Sequence, residues 1–546
     1  MRASTKWSHL VNRLHISAPT RVTVLPLLAI FLTLALGLAS GCAGRAAPSP
    51  RPAAQVPGAT AAATPAGTSA ENGSYDWLQL NFDPQHSGNN TKETKISASN
   101  VSGLARLFQA TLPDIADGAP VYLGGVDSAN GQRDMLFATT KSGDIVALDA
   151  HTGEQVWVQH NPAGNCKINL GSRTCYTTSS PVIDPNRQFV YSYGLDGKVH
   201  KYRADDGTEI TEGGWPEIAT LKGFNEKGSS ALAFATAKDG KTYLYMANSG
   251  YLGDLGDYQG HITAINLANG SQNVFNANCS DQAVHFEQTP ATPDCPAVQT
   301  AIWARPSVVY SPDTDRIYMT TGNGDFAPAQ HDWGDTVFAL NPDGTGTNGN
   351  PLDSYTPADY QALDDRDVDL GSTAPAILPA QPNGPVQHLA VQGGKDAILR
   401  LLNLDDLSGR GEVGHTGGEV STVRVPQGGP VLSQPAVWVN PADNNTWVLV
   451  ANGNGISGLK LGLGANGKPV LQSVWQDRSG GFSPIVANNV LYYAGTGGIR
   501  ALNPTDGTEL WSDAGIGGIH WESPIVANGV LYITDESKHL TGYALP

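Results

Sequence analysis

The chain has 546 residues, a formal net charge of −17, 63 glycines, 36 prolines and a hydrophobic share of 40%. The acidic balance excludes a nonspecific grip on DNA or RNA, which needs a basic surface to displace counterions. The hydrophobic share is enough for a packed core, and the glycine and proline content suits a turn-rich β protein better than a helical one.

From the N-terminus, residues 1–41 read as an export signal of the lipoprotein kind. Arg2, Lys6, Arg13 and Arg21 come without any acid, and the apolar run VTVLPLLAIFLTLALGLA follows at 22–39. Ala39-Ser40-Gly41-Cys42 resembles a bacterial lipobox, which implies cleavage before Cys42 and a lipid on its thiol. About 18 apolar residues can also just span a bilayer, so an uncleaved anchor is the alternative. Either reading puts the rest of the chain outside the cytoplasm, in a bacterial cell envelope. Residues 42–73 are mostly Ala, Pro, Gly, Thr and Ser, too poor in apolar surface to fold, and are expected to be a disordered tether.

Residues 74–546 carry an internal repeat. GDIVALDAHTGEQVW (143–157) and GGIRALNPTDGTELW (497–511) align without a gap. Alternation, a turn at Gly153 or Gly507 and a returning run ending in Trp describe a β-hairpin. Looser copies stand at 197–210, 260–275, 335–344, 395–409 and 455–475. Before most copies comes another strand pair, opened by a small residue and proline: APVYL, SPVID, APAIL, SPIVA. RPSVV and QPAVW depart only in the first residue. Proline is tolerated at the start of such a strand, where its missing N–H costs least.

Eight units can be counted, and the last stops after three strands. The run LARLFQATL (104–112) can supply the fourth. The prediction is an all-β, eight-bladed β-propeller of four-stranded antiparallel blades, its ring closed by an N-terminal strand that completes the last blade. Trp157, Trp475 and Trp511 are expected to pack blade against blade, with Trp215 and Phe275 in that role in irregular units. Cys166, Cys175, Cys279 and Cys295 are expected as disulfides, preferably 166–175 and 279–295 among three connectivities.

The repeated phrase resembles the tryptophan-docking repeats of the quinoprotein alcohol dehydrogenase-like superfamily, over about residues 75–546. The resemblance implies an eight-bladed propeller. In members that oxidise alcohols it also implies pyrroloquinoline quinone (PQQ) above a calcium ion near the axis. IYMTTGNGDF (317–326) resembles the segment with the calcium-binding Asn, which places that role on Asn323. DDRDVDLGSTAPAIL (364–378) resembles the segment with the catalytic Asp, here Asp367. ANSGYLGDLGDYQGHITAINLANG (247–270) resembles the segment with the calcium-binding Glu; Asp254 is the best match, and an offset puts Leu255 there.

The departures from the enzymes are substantial. No adjacent cysteine pair exists to face the quinone, the stacking Trp falls on Ser307, the Trp beside the catalytic Asp is Arg366, and an expected Arg is Gln259. No C-x-x-C-H haem site follows. The acids Asp325, Asp332, Asp335, Asp364, Asp365, Asp367 and Asp369 could gather a calcium ion or form a solvated rim. GNGISG (453–458) and GLGANG (462–467) lie between strands and read as turns rather than nucleotide loops. His520-Trp521-Glu522 would sit at the mouth of the last unit, as a ligand contact or an aromatic plug.

The expected function is therefore a lipid-anchored binding or scaffold module for an envelope protein or a carbohydrate, comparable in architecture to the scaffold lipoprotein of the outer-membrane β-barrel assembly machinery. Loops at 251–258, 325–335 and 345–370 would form its contact surface. A calcium- and PQQ-dependent alcohol or sugar dehydrogenase is the alternative.

Overall fold

Each repeat unit folds as one antiparallel sheet, and the computed structural model arranges eight of them in sequence. It describes residues 74–128, 131–160, 166–168, 173–251, 256–287 and 293–546. The export signal, Cys42, the tether, Asp254 and Leu255 lie outside the described residues. Blade 1 runs through Val121–Ser128, Gly131–Thr139, Ile145–Asp149 and Gln155–Gln159. The first and last strands of the next six are Val182–Ile183 and Glu217–Ile218, Ala233–Thr236 and Gln272–Asn276, Val309–Ser311 and Asp353–Tyr355. They continue with Ala376–Ile377 and Ser421–Arg424, Ala436–Val439 and Pro469–Asp477, Phe482–Ala487 and Glu509–Asp513. Blade 8 has Ile525–Ala527, Val530–Thr534 and His539–Ala544, and Ala105–Thr111 pairs antiparallel with the last of these. The N-terminal strand thus closes the ring. The longest helix among the described residues is the five-residue Tyr360–Asp364.

The repeated phrase shows why it is written as it is. The Asp149 carboxylate accepts from the amides of His151 and Thr152, both at 3.0 Å, and Gly153 takes the left-handed φ of +73° that turns the chain back. The tryptophans then dock on the next blade. The indole N–H of Trp157 donates to the Ala204 carbonyl at 3.1 Å, that of Trp475 to Pro504 at 2.9 Å, and that of Trp511 to Leu104 at 3.1 Å. Each is an aromatic slab whose single donor is satisfied across the seam. Phe108, on the closing strand, fills the seam between blades 8 and 1 with a ring that has no donor, lying over Gly153. Phe275 packs on Phe338 of blade 4 with ring centroids 5.3 Å apart, and Trp215 packs on Tyr191 of its own blade at 5.1 Å.

First strands are innermost: Ile525–Ala527 is wholly buried, whereas the fourth strand Glu509–Asp513 is largely solvent-facing. A strap from residues 75 to 93 crosses the far ends of these inner strands. It exchanges two backbone hydrogen bonds between Trp77 and Tyr122, then offers the carbonyls of Leu78 to Ile183, Pro84 to Tyr310, Ser87 to Val437 and Gly88 to Val486. The Gln79 side chain accepts from the Phe234 amide, and Asn528 of blade 8 receives the Tyr75 amide. Seven of the eight blades are hydrogen-bonded to this one segment. It covers the end of the ring where strands one and two turn. His86 within it is fully buried, its ring held neutral because burial pushes its pKa down to about 4.

Cys166 is disulfide-bonded to Cys175 and Cys279 to Cys295, bonds that belong to an oxidising, extracytoplasmic setting. Among the described residues no helix is long and apolar enough to cross a membrane.

Candidate ligand-binding site

The opposite end of the ring is open and holds a cavity of about 500 Å³, within the range of small-molecule sites. Its walls come from two kinds of connection that recur in every blade. Lys141, Ser249 and Lys395 stand at or just beyond the second strand, and Asp117, Tyr176, Lys227, Trp303, Asp367 and Trp521 precede a first strand. The repeat therefore delivers side chains from around the ring to one point on its axis.

Arg305 organises the floor. It replaces the small residue before proline in its unit, is 3% exposed, and its guanidinium donates to three carbonyls: Ser229 at 2.9 Å, Asp117 at 2.8 Å and Thr178 at 2.7 Å. These belong to the entries of blades 3, 1 and 2, so one side chain ties four connections together. A planar fork spreads its donors over separate nitrogens and can span these carbonyls, whereas an ammonium has its three donors on a single point. Above it the Trp521 indole lies 5.5 Å from the guanidinium carbon and 5.9 Å from the Trp303 ring, tilted by 39°. His520 stacks on Trp521 at 4.0 Å.

The ionisable groups fall into two networks. Asp117, buried, accepts from the His520 Nδ1 at 2.8 Å and pairs with Lys141 at 3.2 Å, and Lys141 also reaches Glu536 at 2.7 Å. Burial opposes the Asp117 charge, but His520, Arg305 and Lys141 outweigh it and hold its pKa below the usual carboxylate range. Glu522 is fully buried beneath; burial and then Asp117 push its carboxyl up to about 8. Its Oε2 accepts from the amides of His520 and Trp521, which fixes the aromatic wall. In the second network Lys395 pairs with Asp369 and, at 3.3 Å, with Asp367, while its ammonium lies 5.5 Å from the Trp303 ring. Lys227 stands apart: it is 5% exposed, its ammonium lies 4.5 Å over the Tyr176 ring, and burial pushes its pKa down to about 7.

The residues singled out from the sequence are only partly assembled here. Asn323 and Asp367 do meet, with the Asn323 Nδ2 3.4 Å from the Asp367 carboxylate, and the Asn323 amide donates to Asp369 at 2.8 Å. Three of the other acids are taken up by backbone amides: Asp332 accepts from Cys279, Asp335 from Leu370 and Asp364 from Gly324. Burial and then neighbouring Asp369 push Asp335 up to about 8. Gln259 is engaged away from the cavity, with Lys222 at 2.7 Å. Ser307 is buried and carries no aromatic, yet the wall is aromatic all the same, supplied by Trp303 four residues earlier. His520 and Trp521 line the cavity. GNGISG turns the hairpin of Thr446–Asn452 and Gly455–Leu463, and GLGANG that of Gly455–Leu463 and Pro469–Asp477.

Sequence reasoning missed Lys141, Tyr176, Lys227, Trp303, Arg305 and Lys395. A signal for some of them was present: Asp117, Thr178, Trp303 and Trp521 each stand three residues before the proline of their unit, at Pro120, Pro181, Pro306 and Pro524.

Comparison with known proteins agrees with this architecture. A family model described as outer membrane protein assembly factor BamB matches residues 95–295. The quinohemoprotein alcohol dehydrogenase ADHIIG from Pseudomonas putida HK5 is similar in structure, with a TM-score of 0.58 at 13% identity over 86% of this chain and 80% of that one. A europium-containing methanol dehydrogenase gives 0.58 at 15% identity, over 85% and 89%. The quinohemoprotein alcohol dehydrogenase from Comamonas testosteroni gives 0.57 at 14%, over 86% and 80%. None of the curated proteins matches this sequence. The chain shares the β-propeller fold of these proteins, and its residues 95–295 match the BamB family model.

Proposed function

We propose that this is an envelope binding protein, held outside the cytoplasm by a lipid on Cys42, whose central cavity takes a small carboxylate-bearing carbohydrate. The observation that carries the reading is the composition of that cavity. Trp303 and Trp521 offer faces for a sugar ring, Lys141 and Lys395 offer cations for a carboxylate, and Asp117, Asp367 and Asp369 offer acceptors for hydroxyls. The entry connections that build it are the same loops that a protein partner would meet at the rim, so a scaffold role is compatible with it.

The alternative, a PQQ dehydrogenase, is favoured by the meeting of Asn323 with Asp367. Two features stand against it. A flat quinone needs near-parallel faces about 7 Å apart, two van der Waals contacts, and the two indoles tilt by 39° toward each other. The Lys395 ammonium already lies between Asp367 and Asp369, where a metal ion would have to displace it or suffer its repulsion.

Calorimetric titration with glucuronate, glucose, and PQQ with calcium separates these readings. Saturable glucuronate binding, at least about tenfold tighter than glucose and weakened about tenfold by Trp303→Ala, is expected. Tight PQQ binding with dye reduction by an alcohol would overturn the proposal. Cys42→Ala should release the protein from the membrane fraction; retention would remove the lipid.

A further inference from the structure

Most of the buried and half-buried cations at this end of the ring have anionic or carbonyl partners. Lys222, with no exposed side-chain surface, reaches Asp257 at 3.3 Å and Gln259 at 2.7 Å. Lys141 has Asp117 and Glu536, Lys395 has Asp369, and Arg305 has its three carbonyls. Lys227 differs. Among the described residues no carboxylate lies within ion-pair distance of its amine, which rests on the face of Tyr176 and opens onto the cavity. Its backbone is clamped by the short strand Glu226–Gly228, paired with Thr242–Gly250, so the side chain is aimed by a sheet rather than by a free loop.

We propose that Lys227 is a reactive amine that captures a carbonyl-bearing ligand as an imine. The inference rests on reading the cavity as a ligand site and adds how the ligand is held. The Nζ lone pair attacks the carbonyl carbon of an aldehyde or ketone, a C–N bond forms, and a proton passes from nitrogen to the carbonyl oxygen. The carbinolamine then loses that oxygen as water together with the second Nζ proton, leaving C=N; no oxidant or reductant is consumed. An open-chain reducing sugar supplies such a carbonyl. A buried amine beside fixed positive charge is the environment that keeps lysine nucleophilic. The charged and titratable groups facing Lys227 are Arg305 and Lys141, which disfavour its protonated form, Asp117, which favours it, and the Tyr176 phenol beneath.

The test is reductive alkylation of the intact protein with propanal and cyanoborohydride near neutral pH, read by peptide mass mapping. Lys227→Arg serves as the assignment control. Lys227 should be alkylated at least about tenfold faster than the exposed Lys92 and Lys468, because a far larger share of its amine is unprotonated at that pH. Its rate should level off above about pH 8, whereas that of the free amino acid derivative Nα-acetyl-lysine, whose ammonium has a pKa of about 10.4, keeps climbing. Alkylation of Lys227 no faster than Lys92 or Lys468 would overturn the proposal. Propanal is uncharged, so this outcome is independent of whether acidic sugars bind. Fast alkylation that excess glucuronate does not slow would leave the reactive amine standing and remove the acidic-sugar reading.

Discussion

Gly207→Ala is the sharpest probe of how the blades hold together. Gly207 has φ of +73°, so alanine there costs on the order of 1 kcal/mol in backbone strain alone. A Cβ would also lie 2.6 Å from the Trp157 ring, against an ordinary contact of about 3.5 Å. The indole must retreat by roughly 1 Å, which breaks its 3.1 Å bond to Ala204 and leaves a buried donor unpaired. The lost bond and the repacking add about 2–4 kcal/mol, for a total of about 3–5 kcal/mol. Urea denaturation followed by fluorescence measures it, and a double-mutant cycle isolates the cause. In a Trp157→Ala background the ring is gone, so the same substitution should cost only the strain of about 1 kcal/mol. Equal costs in both backgrounds, within about 0.5 kcal/mol, would refute the docking account.

Arg305→Lys should lower stability by about 3 kcal/mol in the same assay, because one ammonium nitrogen on a shorter stem cannot span three carbonyls now served by two guanidinium nitrogens. Glu522 keeps its proton when folded up to about pH 8 but loses it near pH 4.5 when unfolded, so wild-type stability should fall as pH rises between those values. Glu522→Gln, which cannot ionise, should flatten that slope by up to about 5 kcal/mol across the window, read from thermal melts at successive pH. Replacing Cys279 and Cys295 by serine should cost about 3 kcal/mol, seen as a lower denaturation midpoint.

The blades were legible because their chemistry is local. An Asp or Asn before the turn, Gly153 or Gly507 within it and Trp157 or Trp511 after it all act within fifteen residues, and the unfinished eighth unit pointed to the strand Ala105–Thr111. The cavity was not legible in the same way. Its walls are single residues from connections up to about four hundred positions apart, as Asp117 and His520 are, and only the ring brings them together. Alignment to a family motif directed attention to position 307, whereas the offset from proline, shared by Trp303 and Trp521, is what sets a side chain on the axis. The strap was invisible for another reason. Apart from Asn89–Asn90, paired in parallel with blade 7, it forms no strand, so no periodicity announces it.

That strap turns a tube into a cup. Among the described residues, 75 to 93 lie bonded across the inner strands at the base, so a guest is expected to enter and depart by the cavity's own mouth. Residence time is then governed by the rim around Trp303, Trp521 and Lys395, so substitutions there should alter arrival and departure together, while the sealed base can be strengthened without slowing either.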